Sequence, residues 1–315
     1  MSDSGRAIVA SAPTRLDFGG GWTDVPPFPE ERGGFVCNVA INRRATVHVT
    51  SAITGGTHVD RLVRAATQRA CVSDVSITID SDFPIGAGLG GSSAAGVALA
   101  AALHEWRGES TDAALLAEWS RAVEVEELGI AGGRQDHYAA AFGGALALHF
   151  TRVIRAERLP LSTSTQSTLE RQCLLAYTGE SRISATTITA VLDAYRHRVP
   201  RVILALDRMA QLARLMRNAL VVGDIDELAA LVQEHWQHQQ SLHPGITTPR
   251  IDAIADAAIA VGATGLKALG ASGGGCVIVF APADRVEVVA RAIAPFAELL
   301  AWKVDTRGVV VEAMR

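Results

Sequence analysis

The residues Pro84-Ile-Gly-Ala-Gly-Leu-Gly-Gly-Ser-Ser-Ala-Ala95 place four glycines and two serines within eight consecutive positions. Just upstream, Val75–Asp80 alternates apolar and polar side chains, the pattern of a strand. Downstream, Ala94–Trp106 is rich in alanine and leucine and meets no glycine but Gly96 before Gly108, which predicts a helix. A chain that runs from strand through glycines into a helix can aim several backbone N–H groups at one point. The positive end of the helix dipole adds to them, and the sum suits a phosphate chain. Glycine permits positive φ and a close approach of ligand to backbone. A strand-to-helix turn that binds nothing needs fewer glycines, so the stretch reads as a phosphate loop.

Gly86, Gly88 and Gly91 satisfy the G-x-G-x-x-G spacing of dinucleotide-binding folds. That reading requires an acidic residue about twenty positions on, at the end of a second strand. Glu105 and Glu109 fall in range but close the first helix, so the requirement is unmet. A Walker-type loop is excluded because no lysine follows the glycines. The two lysines of the chain are Lys267 and Lys303, which leaves arginine as the main source of a cationic clamp.

Other segments carry groups of matching chemistry. Near the N-terminus, Gly19-Gly20-Gly21 is flanked by Arg15, Asp17 and Asp24, able to hold hydroxyls or phosphate oxygens, although a polar surface turn would look the same. Glu124, Glu126 and Glu127 lie on a helix expected over Leu115–Leu128, with Trp119, Ala122, Val123 and Ile130 on its core side. Helical spacing puts Glu124 and Glu127 on one face and Glu126 elsewhere. A carboxylate aimed at the loop could complete a magnesium shell, whereas most such clusters are simply solvated. Asp136 stands between glycines and a small-residue helix, where an N-cap is the plain alternative. His235 and His238 are three apart on a helix, but with no carboxylate or cysteine partner they read as solvated histidines.

The elements that must position these groups fit a chain of 315 residues, long enough for two domains with their own cores. Apolar residues make up 49% and charged ones 20%, and the net charge is −4, which disfavours nucleic acid or an anionic membrane as partner. No apolar run reaches a membrane span, and Met1–Arg6 has no signal-peptide pattern, so a cytoplasmic protein is expected. Cys37, Cys71, Cys173 and Cys276 are scattered and read as small reduced side chains. A strand is expected over Arg6–Pro13 and another over Cys173–Tyr177. Helices should cover most of Ala185–Trp236 with breaks near Pro200 and Gly223. Two short strands should enclose a glycine turn in Gly265–Phe280, and Val286–Ala297 should be helical, with closing strands at Leu299–Val304 and Val309–Glu312. The Ser/Thr-rich run Leu161–Thr168 reads as the connection between a domain of residues 1–168 and one of residues 169–315.

The run Pro-x-Gly-x-Gly-Leu-Gly-x-Ser-Ser-Ala-Ala resembles the nucleotide loop of the GHMP kinases, with Gly91 as an extra glycine. The frame Pro13, Arg15, Thr23 and Asp24 is similar to the family's acceptor segment. Arg-Leu-Asp-Phe-Gly-Gly-Gly-Trp-Thr-Asp resembles most the branch of D-glycero-D-manno-heptose 7-phosphate kinase and fucokinase. Gly21-Trp22 stands where galactokinases have Glu-His. The glycine turn around Gly273 and Gly274 matches the third motif, so the resemblance spans nearly the whole chain. It implies an α+β fold, the GHMP kinase fold, with an N-terminal ribosomal-protein-like domain and a C-terminal ferredoxin-like domain.

It further implies an ATP-dependent sugar kinase acting at the anomeric hydroxyl with Mg²⁺. By resemblance, Pro84, Gly86, Gly88, Leu89, Gly90, Gly91, Ser92 and Ser93 hold ATP, and Ser93 and Glu124 hold the metal. Asp136 and Arg15 are catalytic. Asp17, Gly20, Gly21, Trp22, Thr23, Asp24, Gly133, Arg134, Gly273 and Gly274 meet the acceptor. Two departures stand out: His137 replaces the branch's usual Gln, and Gln239 or Gln240 stands where heptose kinases commonly carry Lys. Arg43 and Arg44 could meet a phosphate on the sugar, but exposed arginines beside a strand explain them as well. Heptose 7-phosphate is the first acceptor expected, then an octose 8-phosphate, then free fucose. The expected assembly is a monomer or homodimer. A nucleotide-binding regulator without catalysis is the alternative of another class, and a dinucleotide-dependent oxidoreductase is the remotest reading.

Overall fold

The computed structural model describes residues 6–52, 60–180 and 185–314. The first half runs β1 (Ala7–Gly19), α1 (Phe28–Arg32), β2 (Gly34–Ser51), α2 (Arg61–Ala70), β3 (Val75–Ser81) and α3 (Gly91–Arg107). It continues with α4 (Ala113–Ala122), α5 (Gln135–Phe142), β4 (Ala145–Phe150), β5 (Arg155–Leu159) and α6 (Thr163–Gln172). The second half holds β6 (Cys173–Tyr177), α7 (Ala185–Arg196), α8 (Pro200–Val222), α9 (Ile225–Leu242), α10 (Pro249–Ala260), β7 (Gly265–Ala268), β8 (Cys276–Phe280), α11 (Val286–Ile293) and β9 (Glu298–Leu300). The last strand, β10 (Val310–Met314), pairs with β1 and so belongs to the first sheet, although it falls in the second half of the chain.

Both sheets are antiparallel, as an α+β fold requires. The first has the order β10-β1-β2-β4-β5, and β3 pairs with the far part of β2. The long strand β2 makes this possible, pairing with β4 through Gly34–Val39 and with β3 through Ala45–Ser51. The second sheet has the order β7-β8-β6-β9.

Strand β1 extends well past Pro13. Its burial alternates over Ala7–Ser11 and then becomes continuous through Gly19. That change marks where helices α3 and α5 cover one side while α8 and α9 of the second half close on the other. Polar residues in this stretch must therefore find partners inside the protein. Helix α3 begins at Gly91, earlier than the alanine run, because Gly90 turns the chain in the left-handed region; it ends at Gly108, also left-handed. Ala94–Leu103 is buried throughout. Its small side chains let α3 lie close to its neighbours, and a Cβ on Gly96 would sit 2.4 Å from Ser120 Oγ.

Three expectations meet the structure here. The Ser/Thr-rich run 161–168 is largely helical: Ser162 accepts a hydrogen bond from the Thr165 N–H and caps α6, which lies between β5 of the first sheet and β6 of the second. Ile130, expected on the core side, is 45% exposed. Arg43 and Arg44 are engaged within the fold, Arg43 donating to the Ala301 and Asp82 carbonyls. Arg44 pairs with Asp305 and donates to the Ser11 and Gly308 carbonyls, so its guanidinium is taken up inside the fold.

One ion pair joins the halves in the interior. Lys267 on β7 is fully buried, and its Nζ donates to both Oδ2 and the carbonyl of Asp17 on β1, each at 2.9 Å. A buried carboxylate left without its cation is strongly unfavourable. Lys267→Met should lower the unfolding free energy by about 3–5 kcal/mol in urea titration. Asp17→Asn in the same background should recover part of that loss; a single variant as stable as wild type would show the pair to be inert.

Candidate active site

The phosphate loop is held in shape before any ligand arrives. Ala87 N–H donates to the Pro84 carbonyl, and Gly86, Gly88 and Gly90 all adopt positive φ. A Cβ on Gly88 would lie 2.9 Å from the Leu269 carbonyl, and one on Gly90 would press 3.0–3.1 Å against the Asp136 carboxylate. The loop therefore fits only as glycine. No side chain caps the N-terminus of α3, and its first hydrogen bond back is Ala94 N–H to the Gly90 carbonyl. The N–H groups at the start of a 17-residue helix are thus open to an anion.

Arg15 ties this loop to the rest of the site. Its backbone N–H donates to the Leu89 carbonyl at 3.0 Å, its Nη1 to the Gly88 carbonyl at 2.6 Å, and its Nε to Asp136 Oδ1 at 2.7 Å. Arg15 is 3% exposed at the side chain, Asp136 27%, so the carboxylate keeps an open face. The arrangement can hold charge on one side and accept a proton on the other.

The glutamate cluster does not follow ordinary helical spacing. Helix α4 gives way at Val123–Glu127 to a wider i→i+5 turn, which swings the side chains out of the expected register. Glu126 and Glu127 both pair with Arg69 on the outer surface. Glu124 alone turns inward, with Oε1 3.3 Å from Ser92 Oγ and Oε2 2.9 Å from His137 Nε2. Burial pushes the Glu124 carboxyl up, but the His137 and Ser92 contacts outweigh it and hold the group below its ordinary value. Ser93 Oγ is 3.4 Å from the same His137 nitrogen. Ser93 and Glu124 thus stand together beside the helix start, a hydroxyl and a carboxylate of the hard-oxygen kind that magnesium takes. Among the described residues no group of three His, Cys, Asp or Glu side chains forms a closed metal cluster. An ion held by this pair would need phosphate oxygens and water for the rest of its shell, which suits a nucleotide-bound metal.

A cleft of about 260 Å³ opens on all these groups. Arg15, Gly88, Gly90, Ser93, Glu124 and Asp136 line it, together with Gly21, Trp22, Asp24 and Gly133. Other residues expected at the acceptor lie behind this wall. Asp17 is committed to Lys267, and Gly20 N–H donates to His235 Nε2 at 2.9 Å. Thr23 is fully buried and donates to the Gly20 carbonyl. The Arg134 side chain lies 3.3 Å from Glu118. Gly273 and Gly274 pack on Ile246 and Glu180, while Gly270 and Ala271 of the same turn reach the cleft. Of the loop residues, Leu89 is buried in the core and Gly91 lies against the Phe83 ring. His235, read from the sequence as solvated, is fully buried, and burial holds its imidazole well below the ordinary value.

Several groups escaped the sequence because their meaning depends on distant partners. Gln135, Ile188 and Gly270 line the cleft. Gln239, already singled out in the sequence, is buried with its amide donating to Ser272 Oγ at 3.1 Å, bracing the turn beside it. Trp22 is a bulky residue at φ 79°, a conformation that places its ring on the cleft wall.

The comparisons with known proteins agree with this geometry. The family description "GHMP kinases N terminal domain" matches residues 57–144, and "GHMP kinases C terminal" matches residues 212–297.

The chain belongs to the GHMP kinases.

It is 26% identical over 312 residues to D-glycero-alpha-D-manno-heptose 7-phosphate kinase of Campylobacter jejuni, covering 87% of this chain and 89% of the relative. It is 27% identical over 323 residues to the bifunctional fucokinase/GDP-fucose pyrophosphorylase of Arabidopsis thaliana, covering 88% of this chain but 30% of that longer protein. The crystal structure of a D-glycero-D-manno-heptose 1-phosphate kinase from Bacteroides thetaiotaomicron superposes with a TM-score of 0.80 at 24% identity, over 98% of this chain and 99% of the other. This GHMP kinase shares that fold over 98% of its chain.

Asp24 carries the clearest electrostatic signature in the cleft. Its Oδ2 accepts from the Arg134 and Gln135 N–H groups and so caps α5 from a distance. Burial pushes its carboxyl up to about 6, with Asp136 and Asp17 adding repulsion against those two hydrogen bonds. Because the folded value lies above the unfolded one, folding takes up a proton at Asp24. That contribution to stability is complete below 3.8 and is lost as pH rises through about 6. The unfolding free energy of wild type relative to Asp24→Asn should therefore fall across this window in a pH series of urea melts. A difference independent of pH would rule the shift out.

Proposed function

We propose that this GHMP kinase transfers the γ-phosphoryl group of ATP to the anomeric hydroxyl of a higher-sugar phosphate, with D-glycero-D-manno-heptose 7-phosphate as the first candidate acceptor. The observation that carries the reading is the meeting of an uncapped helix start and the Arg15–Asp136 pair at one cleft. The heptose kinase relative, aligned over most of both chains, supports the choice of acceptor.

In this reading the glycine loop and the first N–H groups of α3 cradle the phosphates. Magnesium held at Ser93 and Glu124 would neutralise phosphate charge. Arg15 steadies the transferred group, and Asp136 orients the sugar hydroxyl and takes its proton as the new oxygen–phosphorus bond forms and the bond to ADP breaks. Gly21, Trp22, Asp24 and Gly133 form the acceptor end, where Asp24 is placed to accept from a sugar hydroxyl.

A second reading, a free sugar such as fucose, has a specific observation behind it. Among the described residues lining the cleft, Arg15 is the one cation, and it is already paired with Asp136. Gln239, standing where heptose kinases commonly have Lys, adds no charge.

ADP release with Mg-ATP should be measured across heptose 7-phosphate, an octose 8-phosphate, fucose, galactose and mannose, with NMR of the product. Turnover on a phosphorylated higher sugar to a 1-phosphate supports the first reading. Turnover confined to free sugars moves the enzyme to the second, and tight ATP binding without turnover on any of them leaves a regulator. Asp136→Asn should lower kcat by about 10²–10⁴-fold while ATP affinity holds. A variant turning over at the wild-type rate removes Asp136 from the chemistry.

A further inference from the structure

His137 is the least expected residue of the site. It follows Asp136 on α5 but points the other way, into the interior, and is 2% exposed. Its ring meets three groups, one each from α4, the wide turn Val123–Glu127 and α3. Nδ1 lies 3.0 Å from Ser120 Oγ on α4, and Nε2 lies 2.9 Å from Glu124 Oε2 and 3.4 Å from Ser93 Oγ on α3. Both residues placed for the metal therefore converge on one imidazole nitrogen.

Glu124 defines the hydrogen at Nε2. An ionised Glu124 can only accept, so Nε2 carries the hydrogen and donates to Oε2. Nδ1 meets the Ser120 hydroxyl, a group able to donate to it or accept from it, so either way the ring is held in place. Ser120 in turn is seated against Gly96 of α3, where any Cβ would collide with its oxygen at 2.4 Å. The chain Gly96–Ser120–His137–Glu124 thus runs from the packing of the core helix to the carboxylate. With Oε2 taken by His137, Oε1 is the oxygen that faces the loop, where Ser92 reaches it.

We propose that His137 is a positioning residue that locks Glu124 so that a single carboxylate oxygen is presented to the nucleotide's metal. This rests on the kinase reading given above. A residue that orients a ligand through its second oxygen sets metal affinity without touching metal or substrate. A merely packing role would instead be met by any side chain of similar volume.

The test is calorimetric titration of ADP into the protein at a series of Mg²⁺ concentrations, without sugar and without turnover. His137→Leu should raise the Mg²⁺ concentration needed for half-maximal tightening of ADP by about 10–100-fold, with metal-free ADP affinity unchanged. His137→Gln keeps an N–H for Glu124 and should recover most of that loss. Wild-type Mg²⁺ dependence in the Leu variant, or equal impairment of both variants, overturns the proposal. Ring ¹⁵N shifts of the wild-type histidines give an independent check that needs no variant to fold. An Nε2 that carries a hydrogen supports the arrangement, and a bare Nε2 overturns it. Failure of the wild type to bind ADP at any Mg²⁺ concentration would overturn the kinase reading, and this proposal with it.

Discussion

The site is organised around the guanidinium of Arg15. A buried cation is tolerated only where its donors are met, and the three groups that Arg15 meets, one through its backbone and two through its guanidinium, all come from the working parts of the cleft. Two are carbonyls of the phosphate loop, reached by the backbone N–H and by Nη1, and the third is the Asp136 carboxylate reached by Nε. Because Arg15 sits on β1, paired opposite Ala40 of the long strand β2, the loop and the start of α5 inherit the rigidity of that pairing. Distances between the phosphate cradle and the candidate base are therefore fixed by strand pairing, not by loop conformation.

The second half of the chain completes this frame from outside. The Cys276 N–H donates to the Ala87 carbonyl at 2.7 Å, and Gly88 approaches Leu269 so closely that no side chain fits between them. The glycine-rich turn between β7 and β8 thus braces the phosphate loop from behind, and only its Gly270 and Ala271 reach the cleft. Lys267 and His235 extend the same contact to the acceptor segment, through Asp17 and Gly20. Hydrogen bonds of this kind are worth most where water is absent. The junction of the two halves supplies that dryness, and the site forms where they meet.

Charge is distributed unevenly across the cleft. Asp24, Glu124 and Asp136 line it against a single arginine among the described residues. Each carboxylate is assigned a different fate by its surroundings. Asp24 is raised by burial and by its neighbours, Glu124 is held down by His137, and Asp136 is paired with Arg15 yet open on one side. Groups of one type thereby become a cap, a ligand candidate and a base candidate, a division made by environment alone.

Much of this was legible from local sequence, for a physical reason. Glycines at 86, 88 and 90, the alanine run of α3 and the breaks at Pro200 and Gly223 act through backbone freedom and helix propensity, which need no distant partner. The same holds for the order of the three glycine-rich segments and for the placement of Arg15 and Asp136 beside them. What tertiary structure alone decided are the partnerships. Spacing of three assigned Glu127 to the face of Glu124, but the wide turn at Val123–Glu127 sent it to Arg69. Asp17 looked like a hydroxyl-binding acid until burial gave it to Lys267, 250 positions away. His137 looked like a simple replacement until α4 and α3 closed around its two nitrogens. A residue's type sets which bonds it can make, and the burial that comes only with packing determines which of them it must make.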